Sequence, residues 1–294
     1  MDGDRIPMPF HKGELIAQAL AGVDPFNAPI RNRMPDQHRT FFPLLPFLAV
    51  AVTDAEGWPL ATLVQGPPGF ASSPDPARLQ VDALPAPDDP AGARLVAGSQ
   101  VGMLGIDLAT RRRNRLNGVV AARGEAGFAV DVAQSFGNCP RYIHVRALQP
   151  IERTPGPVTA FDADLPARAR AMLAETPTLF VASASGAEAQ DGAAGLDISH
   201  RGGPAGFARL DGDVLVVPDY AGNRYFNTLG NFLAEPRGAL VVVDFATGDV
   251  LQLQGVVDVD WEAAGPERVP PVERTWRFRI VRGWLRPGAF GLAD

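Results

Sequence analysis

LDISHRGGPAGFARLDGDVLVVPDYAGNRYFNTLGNFL, residues 196–233, is the stretch that decides the fold. Its first residues, 196–199, alternate apolar and polar side chains, which predicts a half-buried strand. Gly202 and Gly203 come next and let the backbone approach a partner strand or a ligand closely. A second apolar run, residues 214–217, predicts another strand. The stretch therefore predicts two strands separated by a glycine-rich turn.

A helix is predicted after these strands, from about Asn223 until Pro236 ends it. Asn223 and Arg224 then stand at its N-terminus, where free backbone N–H groups and the helix dipole favour an anion. Arg201, on the first strand, offers a second guanidinium that makes forked hydrogen bonds to a phosphate. The alternative is two solvated surface arginines, with Asn223 as an ordinary N-cap.

These residues resemble those of the FMN-binding split barrels of the pyridoxamine 5′-phosphate oxidase-like superfamily. There a strand carries an arginine toward the flavin phosphate, and a strand-to-helix turn supplies a second cluster. Arg201 matches the first and Asn223-Arg224 the second, whereas Tyr225 stands where a lysine is common. The resemblance extends over most of the chain and is closest to two-barrel members of uncertain activity. It implies a mainly β fold with short helices, built as tandem FMN-binding split barrels, with FMN as the cofactor.

The resemblance also extends to QSFGNCPRYI, residues 134–143, whose Gln134 and Ser135 would hydrogen-bond the isoalloxazine edge. The alternative for this segment is a capped turn before a proline. The cofactor-binding residues that the resemblance and the residue types together predict are Ser199, His200, Arg201, Gly202, Asn223, Arg224, Asn227, Thr228, Gln134 and Ser135.

Composition narrows the class of protein. The 294 residues are 46% hydrophobic and 20% charged, an ordinary globular balance, and the net charge of −6 argues against a nucleic-acid partner. A single cysteine, Cys139, fits a reducing, cytoplasmic compartment. No apolar stretch predicts a membrane span, and no histidines stand at metal-ligand spacing. Lys12 is the only lysine, so arginines and backbone have to hold any phosphate.

Four segments are predicted along the chain: an N-terminal arm at 1–40, a first split barrel at 41–153, a linker with a short helix at 154–176, and a second split barrel with a C-terminal strand at 177–294. Two sets of matches indicate an internal repeat. Gly69-Phe70 matches Gly206-Phe207 at an offset of 137 residues. A second set places Asp107, Ala109, Arg112 and Gly118 on Asp219, Ala221, Arg224 and Gly230 at an offset of 112.

The basic run Arg111, Arg112, Arg113 and Arg115 leaves several interpretations open. It would hold a second anion, a substrate or a flavin phosphate, or else form the solvated face of a helix. Cys139 is either a nucleophile or a small buried hydrophobe.

The sequence predicts an FMN-binding flavoprotein, an oxidoreductase of the pyridoxamine 5′-phosphate oxidase-like type with an unknown substrate. The alternative is a non-catalytic flavin-binding or flavin-sensing module. Expected partners are a small-molecule substrate or electron donor and, in one arrangement, a second copy in a homodimer. We expect the phosphate on the second half of the chain, since Pro67 and Pro68 remove backbone donors from the corresponding turn of the first half.

Overall fold

The computed structural model describes residues 4–186, 195–265, 267 and 270–294. Strands dominate, helices are short, and two large sheets follow one another along the chain. This is the mainly β, tandem split-barrel fold that the sequence predicts. In the described part of the chain no helix is long and apolar enough to cross a membrane.

Four α-helices lie among the described residues. They are α1 (Lys12–Leu20), α2 (Asp36–Arg39), α3 (Ala167–Glu175) and α4 (Asn227–Ala234). The strands are β1 (Phe47–Thr53), β2 (Pro59–Gln65), β3 (Ala71–Asp75), β4 (Arg78–Val81), β5 (Gln100–Asp107), β6 (Arg112–Arg123), β7 (Phe128–Gly137), β8 (Gln149–Pro150), β9 (Thr159–Phe161), β10 (Thr178–Ala184), β11 (Leu196–Gly202), β12 (Arg209–Asp211), β13 (Val214–Tyr220), β14 (Arg237–Val243), β15 (Val250–Asp260), β16 (Val272–Arg286) and β17 (Leu292–Ala293).

The two large sheets have the same strand order. The first runs β2-β1-β5-β6-β7-β4-β3, and the second runs β11-β10-β14-β15-β16-β13-β12, with β9 added on β16. Apart from β9, each strand of the second sheet thus has a counterpart at the same place in the first, from β1 and β10 to β7 and β16. A β-bulge also falls at the same place in both, at Asn117/Gly118 in β6 and at Gln254/Gly255 in β15.

The offset of 137 residues, which pairs Gly69 with Gly206, also aligns strands that occupy equivalent positions in the two sheets, such as β2 with β11. It also aligns residues 107–110 (DLAT) with 244–247 (DFAT), and 116–120 (LNGVV) with 253–257 (LQGVV). The offset of 112 is wrong, because it pairs Asp107, at the end of β5, with Asp219 in β13. The counterpart of β5 in the second sheet is β14.

Four apolar clusters lie among the described residues, and the smallest joins the N-terminal arm to Phe136 and Tyr225. One lies inside the first barrel around Phe128, and another inside the second barrel around Trp276. The third joins the barrels and contains Phe47, Leu104 and Phe180 among its members. The contacts across this junction are reciprocal, since β11 packs on β5 and β2 packs on β14.

The N-terminal arm is not peripheral. Helix α1 packs on α4, where a Cβ added to Gly13 would lie 2.3 Å from the carbonyl oxygen of Gly230. The side chains of His11, Glu14 and Gln18 are buried. His11 Nε2 lies 2.8 Å from Asn231 Oδ1, and Asn227 donates to Glu14.

Two further expectations need correction. Residues 72–94 are rich in proline, aspartate and alanine, which predicts mostly a surface excursion, but they include β4 and most of β3 and bury Asp89. The last helix begins at Asn227 rather than at Asn223, because Phe226 before it adopts a left-handed conformation with φ of 59°. Asn223 and Arg224 therefore lie in the loop ahead of the helix.

Candidate functional site

A cavity of about 100 Å³ opens where the edge strand β11 meets β6. Both barrels line it: β5, β6 and the segment after β7 from the first, and β11, β13, β16 and the start of α4 from the second. Six arginines and two carboxylates face it, so the lining carries an excess of positive charge. They are Arg113, Arg115, Arg141, Arg201, Arg224, Arg274, Asp219 and Glu273.

The floor of the cavity is a hydrogen-bond network around Asp197. Arg115 Nη1 donates to Asp197 Oδ1 at 3.0 Å, and the same guanidinium donates to Ser199 Oγ. Asn117 and Asn231 also donate to the Asp197 carboxylate. Burial is the main cause that lowers the pKa of Arg115. The network fixes the Arg115 guanidinium rigidly across the two barrels.

One wall of the cavity is held by Asp219. Arg201 Nη1 donates to Asp219 Oδ1 at 2.8 Å, and Arg274 Nη1 donates to Asp219 Oδ2 at 2.9 Å. One carboxylate therefore serves two guanidiniums. The alternation of β11 turns Arg201 toward this wall, on the same side of the strand as Ser199.

The rim next to this wall is a strained loop, joined to it by Arg274, which also donates to Glu273. Arg224 donates twice to Glu273, at 2.7 and 2.6 Å. Arg224 and Phe226 have positive φ angles of 64° and 59°, and Tyr142, which also lines the cavity, has one of 64°. Such backbone conformations cost free energy in residues other than glycine and cluster at functional sites.

Arg113 differs from Arg115, Arg201, Arg224 and Arg274, each of which is paired with a carboxylate. Its Nη1 lies 3.2 Å from Nδ1 of His200, and no carboxylate in the described part of the chain pairs with it. Burial and the neighbouring Arg115 and Arg201 lower its pKa to about 10. A buried guanidinium that lacks a carboxylate partner and lies beside two more guanidiniums favours the binding of an anion.

The Arg113 contact also fixes the proton of His200. Burial and the nearby arginines keep the pKa of His200 well below its usual range, so the ring is neutral. Because a guanidinium only donates, Nδ1 of His200 accepts and its Nε2 carries the hydrogen. That Nε2–H is buried and has no partner among the described residues.

Other buried polar atoms of the lining are unpaired in the same way within the described part of the chain. They are Arg113 Nε, Arg115 Nε, Arg201 Nε and Asn138 Oδ1. Unpaired buried groups are rare in folded proteins and need an explanation. A bound ligand explains these unpaired atoms if its acceptors bond the arginine nitrogens and its donor bonds Oδ1 of Asn138.

Eight of the ten predicted cofactor-binding residues line the cavity: Ser199, His200, Arg201, Gly202, Asn223, Arg224, Asn227 and Thr228. Gln134 and Ser135 lie elsewhere. Gln134 accepts a hydrogen bond from Asn117, and Ser135 is fully buried with its Oγ 2.7 Å from Nδ1 of His38. Cys139, four residues further on, does line the cavity.

The basic run is a strand rather than a helix face. In β6 the side chains of Arg113, Arg115 and Asn117 point toward the second barrel, whereas exposed Arg112 lies over the ring of Phe41. The signal was present in the sequence, since arginine, arginine and asparagine recur at every second position. Among the described residues no group of three His, Cys, Asp or Glu side chains is placed to hold a metal ion.

No family model matches the chain, and no curated protein does. Among solved structures, HupZ from Group A Streptococcus is 11% identical, with 35% of this chain and 93% of that chain covered and a TM-score of 0.29. A candidate pyridoxamine 5′-phosphate oxidase from Lactobacillus delbrueckii is 19% identical, with 36% and 94% covered and a TM-score of 0.28.

A FAD-binding protein from Mesorhizobium loti is 13% identical, with 44% of this chain and 97% of that chain covered and a TM-score of 0.28. The solved structures to which the chain is similar thus include a candidate pyridoxamine 5′-phosphate oxidase and a FAD-binding protein. Because these TM-scores lie far below 0.5, the function has to be inferred from the cavity itself.

Proposed function

We propose that the chain binds FMN in the cavity between the two barrels and acts as a flavin-dependent oxidoreductase of the pyridoxamine 5′-phosphate oxidase-like type. The observation that carries the proposal is the Arg113 guanidinium, which has no carboxylate partner among the described residues. The substrate and the electron donor are small molecules whose identity the lining does not specify.

The phosphate of FMN fits the group of Arg113, Arg115 and Arg201. Each of these guanidiniums has an unpaired Nε among the described residues, and the charge of Arg201 lowers the pKa of both other arginines. A dianion relieves that repulsion and accepts charge-assisted hydrogen bonds. The second barrel contributes Arg201 and the first contributes the other two, so the phosphate is shared between the barrels.

The remaining lining offers groups that complement an isoalloxazine ring. It carries hydrogen-bond acceptors for the buried Nε2–H of His200 and a donor for Oδ1 of Asn138. Tyr142 and Tyr220 both line the cavity, with ring centroids 5.1 Å apart, and offer a flat aromatic surface.

In this mechanism FMN supplies the electron chemistry once it is bound. The chain's own residues bind and orient it. Arg113 holds the neutral His200 in the tautomer that donates from Nε2, and the Asp197 network holds Arg115 in place. Asp219 and Glu273 are engaged by arginines, which leaves them poorly placed to move protons.

That last observation favours a second candidate, a flavin-binding or flavin-sensing module without catalysis. Photoreduction of the FMN-loaded protein, followed by a screen of NADH, NADPH and small acceptors, separates the two candidates. Turnover with any donor and acceptor pair identifies an enzyme, whereas FMN binding without turnover favours the module. FAD is the competing ligand, since one of the similar structures is a FAD-binding protein.

Calorimetric titration of FMN into Arg113→Gln tests the proposal. We expect its affinity to fall by at least tenfold, because a charge-assisted hydrogen bond contributes about 1.5–3 kcal/mol. Arg112→Gln is the matched control, since Arg112 is the neighbouring residue on the opposite side of the same strand. Equal affinities in both variants, or no FMN affinity in the unaltered protein, would refute the proposal.

A further inference from the structure

The equal strand order of the two sheets implies a second place in the molecule that corresponds to the cavity. The cavity lies where β6 of the first sheet meets β11 of the second. Exchanging each strand for its counterpart gives the place where β15 meets β2. The reciprocal packing of β11 on β5 and of β2 on β14 makes these two junctions quasi-equivalent.

Residue equivalences across the two junctions follow from the strand register. Ala49 pairs with both Leu63 and Leu104, and its counterpart Phe180 pairs with both His200 and Val241. Leu63 thus corresponds to His200, and Leu104 corresponds to Val241. Each pair is separated by 137 residues, the same offset that joins Gly69 to Gly206. By the same offset, Ser199 of the cavity corresponds to Thr62, and Arg115 corresponds to Gln252.

At this second junction a carboxylate of the chain itself occupies the corresponding place. Thr62 Oγ1 donates to Asp89 Oδ2 at 2.5 Å, and Gln252 Nε2 donates to Asp89 Oδ1 at 3.1 Å. Asp89 is only 4% exposed. The two residues that correspond to the cavity-lining Ser199 and Arg115 are thus both bonded to one anionic group.

Arg286 supplies the positive charge there. Its Nη1 donates to Asp89 Oδ2 at 2.8 Å, and its Nη2 donates to the more exposed Asp88 at 2.7 Å. Arg286 is 4% exposed, and its Nε has no partner in the described part of the chain. The second junction therefore contains a buried anion-binding site whose anion is the side chain of Asp89.

The two junctions differ because the segments that follow β4 and β13 differ. After β13 the chain forms α4, whose first turn borders the cavity. After β4 the chain forms no α-helix, and residues 82–99 carry Asp88 and Asp89 over the junction. The segment after β13 leaves room for a ligand, whereas the segment after β4 places the Asp89 carboxylate in its junction.

We propose that the chain carries a second anion site at the β2–β15 junction, which it fills with Asp89, so that it takes up one external anionic ligand rather than two. The ligand class of this site, once vacated, is a small oxyanion such as formate, acetate or phosphate. Only the ligand stoichiometry rests on the proposed function. The anion site itself does not.

Chemical rescue of Asp89→Ala tests the site. We expect a lower thermal midpoint than in the unaltered protein, and sodium formate to raise that midpoint by about 3 °C more than sodium chloride of equal ionic strength. The control is Asp88→Ala, whose lost carboxylate is exposed, and formate should not raise its midpoint beyond chloride. An Asp89→Ala protein that folds only when formate is present also supports the site.

Equal midpoints of Asp89→Ala in formate and chloride overturn the proposal. So does an Asp89→Ala protein that fails to fold in both salts while Asp88→Ala folds. Titration of FMN into the unaltered protein adds the stoichiometry: one equivalent per chain is expected, and two equivalents overturn the proposal. Absence of FMN binding refutes only the proposed function, because the formate comparison decides the anion site without it.

Discussion

Glu14 is a buried carboxylic acid that stays protonated at neutral pH. Burial, reinforced by the charge of Asp197, raises its pKa from 4.5 to about 8, although the backbone N–H of His11 and the side chain of Asn227 both donate to it. Glu14 thus links the N-terminal arm to Asn227, a residue of the cavity lining.

The stability of the protein should therefore depend on the protonation of Glu14. Between pH 4.5 and about 8 the folded chain binds a proton at Glu14 that the unfolded chain does not, so the free energy of unfolding falls as the pH rises, by at most about 1.4 kcal/mol per pH unit. Glu14→Gln should remove this part of the slope and be more stable than the unaltered protein at pH 8. Urea denaturation at several pH values measures both slopes, and parallel slopes would show that Glu14 is ionised in the folded protein.

Individual residue roles were the least predictable part of the site. The sequence identifies Arg201 and Arg224 as cations beside a glycine-rich turn, but it does not reveal that Asp219 and Glu273 bind them. Those partners come from β13, 18 residues after Arg201, and from β16, 49 residues after Arg224. The lack of a carboxylate partner for Arg113 among the described residues is likewise a property of the assembled barrels.

At the scale of elements, the α1–α4 contact is unusually close. A Cβ on Gly13 would lie 2.3 Å from the carbonyl oxygen of Gly230, and a Cβ on Gly230 would lie 2.5 Å from the Cα of Glu14. The backbones of the two helices thus touch directly, which only glycine at both positions permits.

Gly13→Ala should separate these helices and destabilise the protein by about 1–3 kcal/mol, the usual cost of overpacking. Gly124→Ala is a suitable control, because its added Cβ would meet its nearest neighbour, the Gly127 carbonyl oxygen, at 3.9 Å. Thermal midpoints of both variants measure the difference. A Gly13→Ala midpoint as high as that of the control would show that the arm adjusts without cost.

Helix α1 makes a contact that hydrophobic periodicity does not predict. Its buried face carries Glu14 and Gln18, whereas Leu15, Ile16 and Leu20 are 44%, 42% and 54% exposed. The polar residues are inside because their partners on α4 and its preceding loop are polar. A rule that places apolar side chains inward cannot detect such a contact.

At the scale of the whole molecule, the junction between the barrels is a hydrophobic core in its own right. Buried side chains from both sheets meet there, including those of Phe47 and Phe180, whose ring centroids are 6.2 Å apart. Each barrel alone would expose this surface to water. The two barrels should therefore depend on each other for stability.

We expect a single cooperative unfolding transition for this reason. Hydrogen exchange should give the same free energy of opening for the slowest amides of β1, in the first sheet, and of β10, in the second. Denaturation followed by far-UV circular dichroism and by tryptophan fluorescence should give coincident midpoints. A first sheet that opens at distinctly lower free energy would show that the barrels fold independently.

The overall fold was the most predictable level. Alternation along the strands and turn residues such as those at 246–248 predict strands locally, and the offset from Gly69 to Gly206 already pairs equivalent positions. The offset of 112 failed because single matches of common residues such as alanine and glycine carry little information. The run DLAT with DFAT is the stronger signal.

The contact of α1 with α4 also sets an order of events during synthesis. His11 and its partner Asn231 are 220 residues apart in the chain. At about 5–20 residues per second a ribosome needs roughly 10–45 s to make that length. During this interval the nascent arm, with its glycine and polar face uncovered, has to remain unattached while the first barrel emerges. The cavity between the barrels is completed later still, when β16 has supplied Glu273 and Arg274 to its lining.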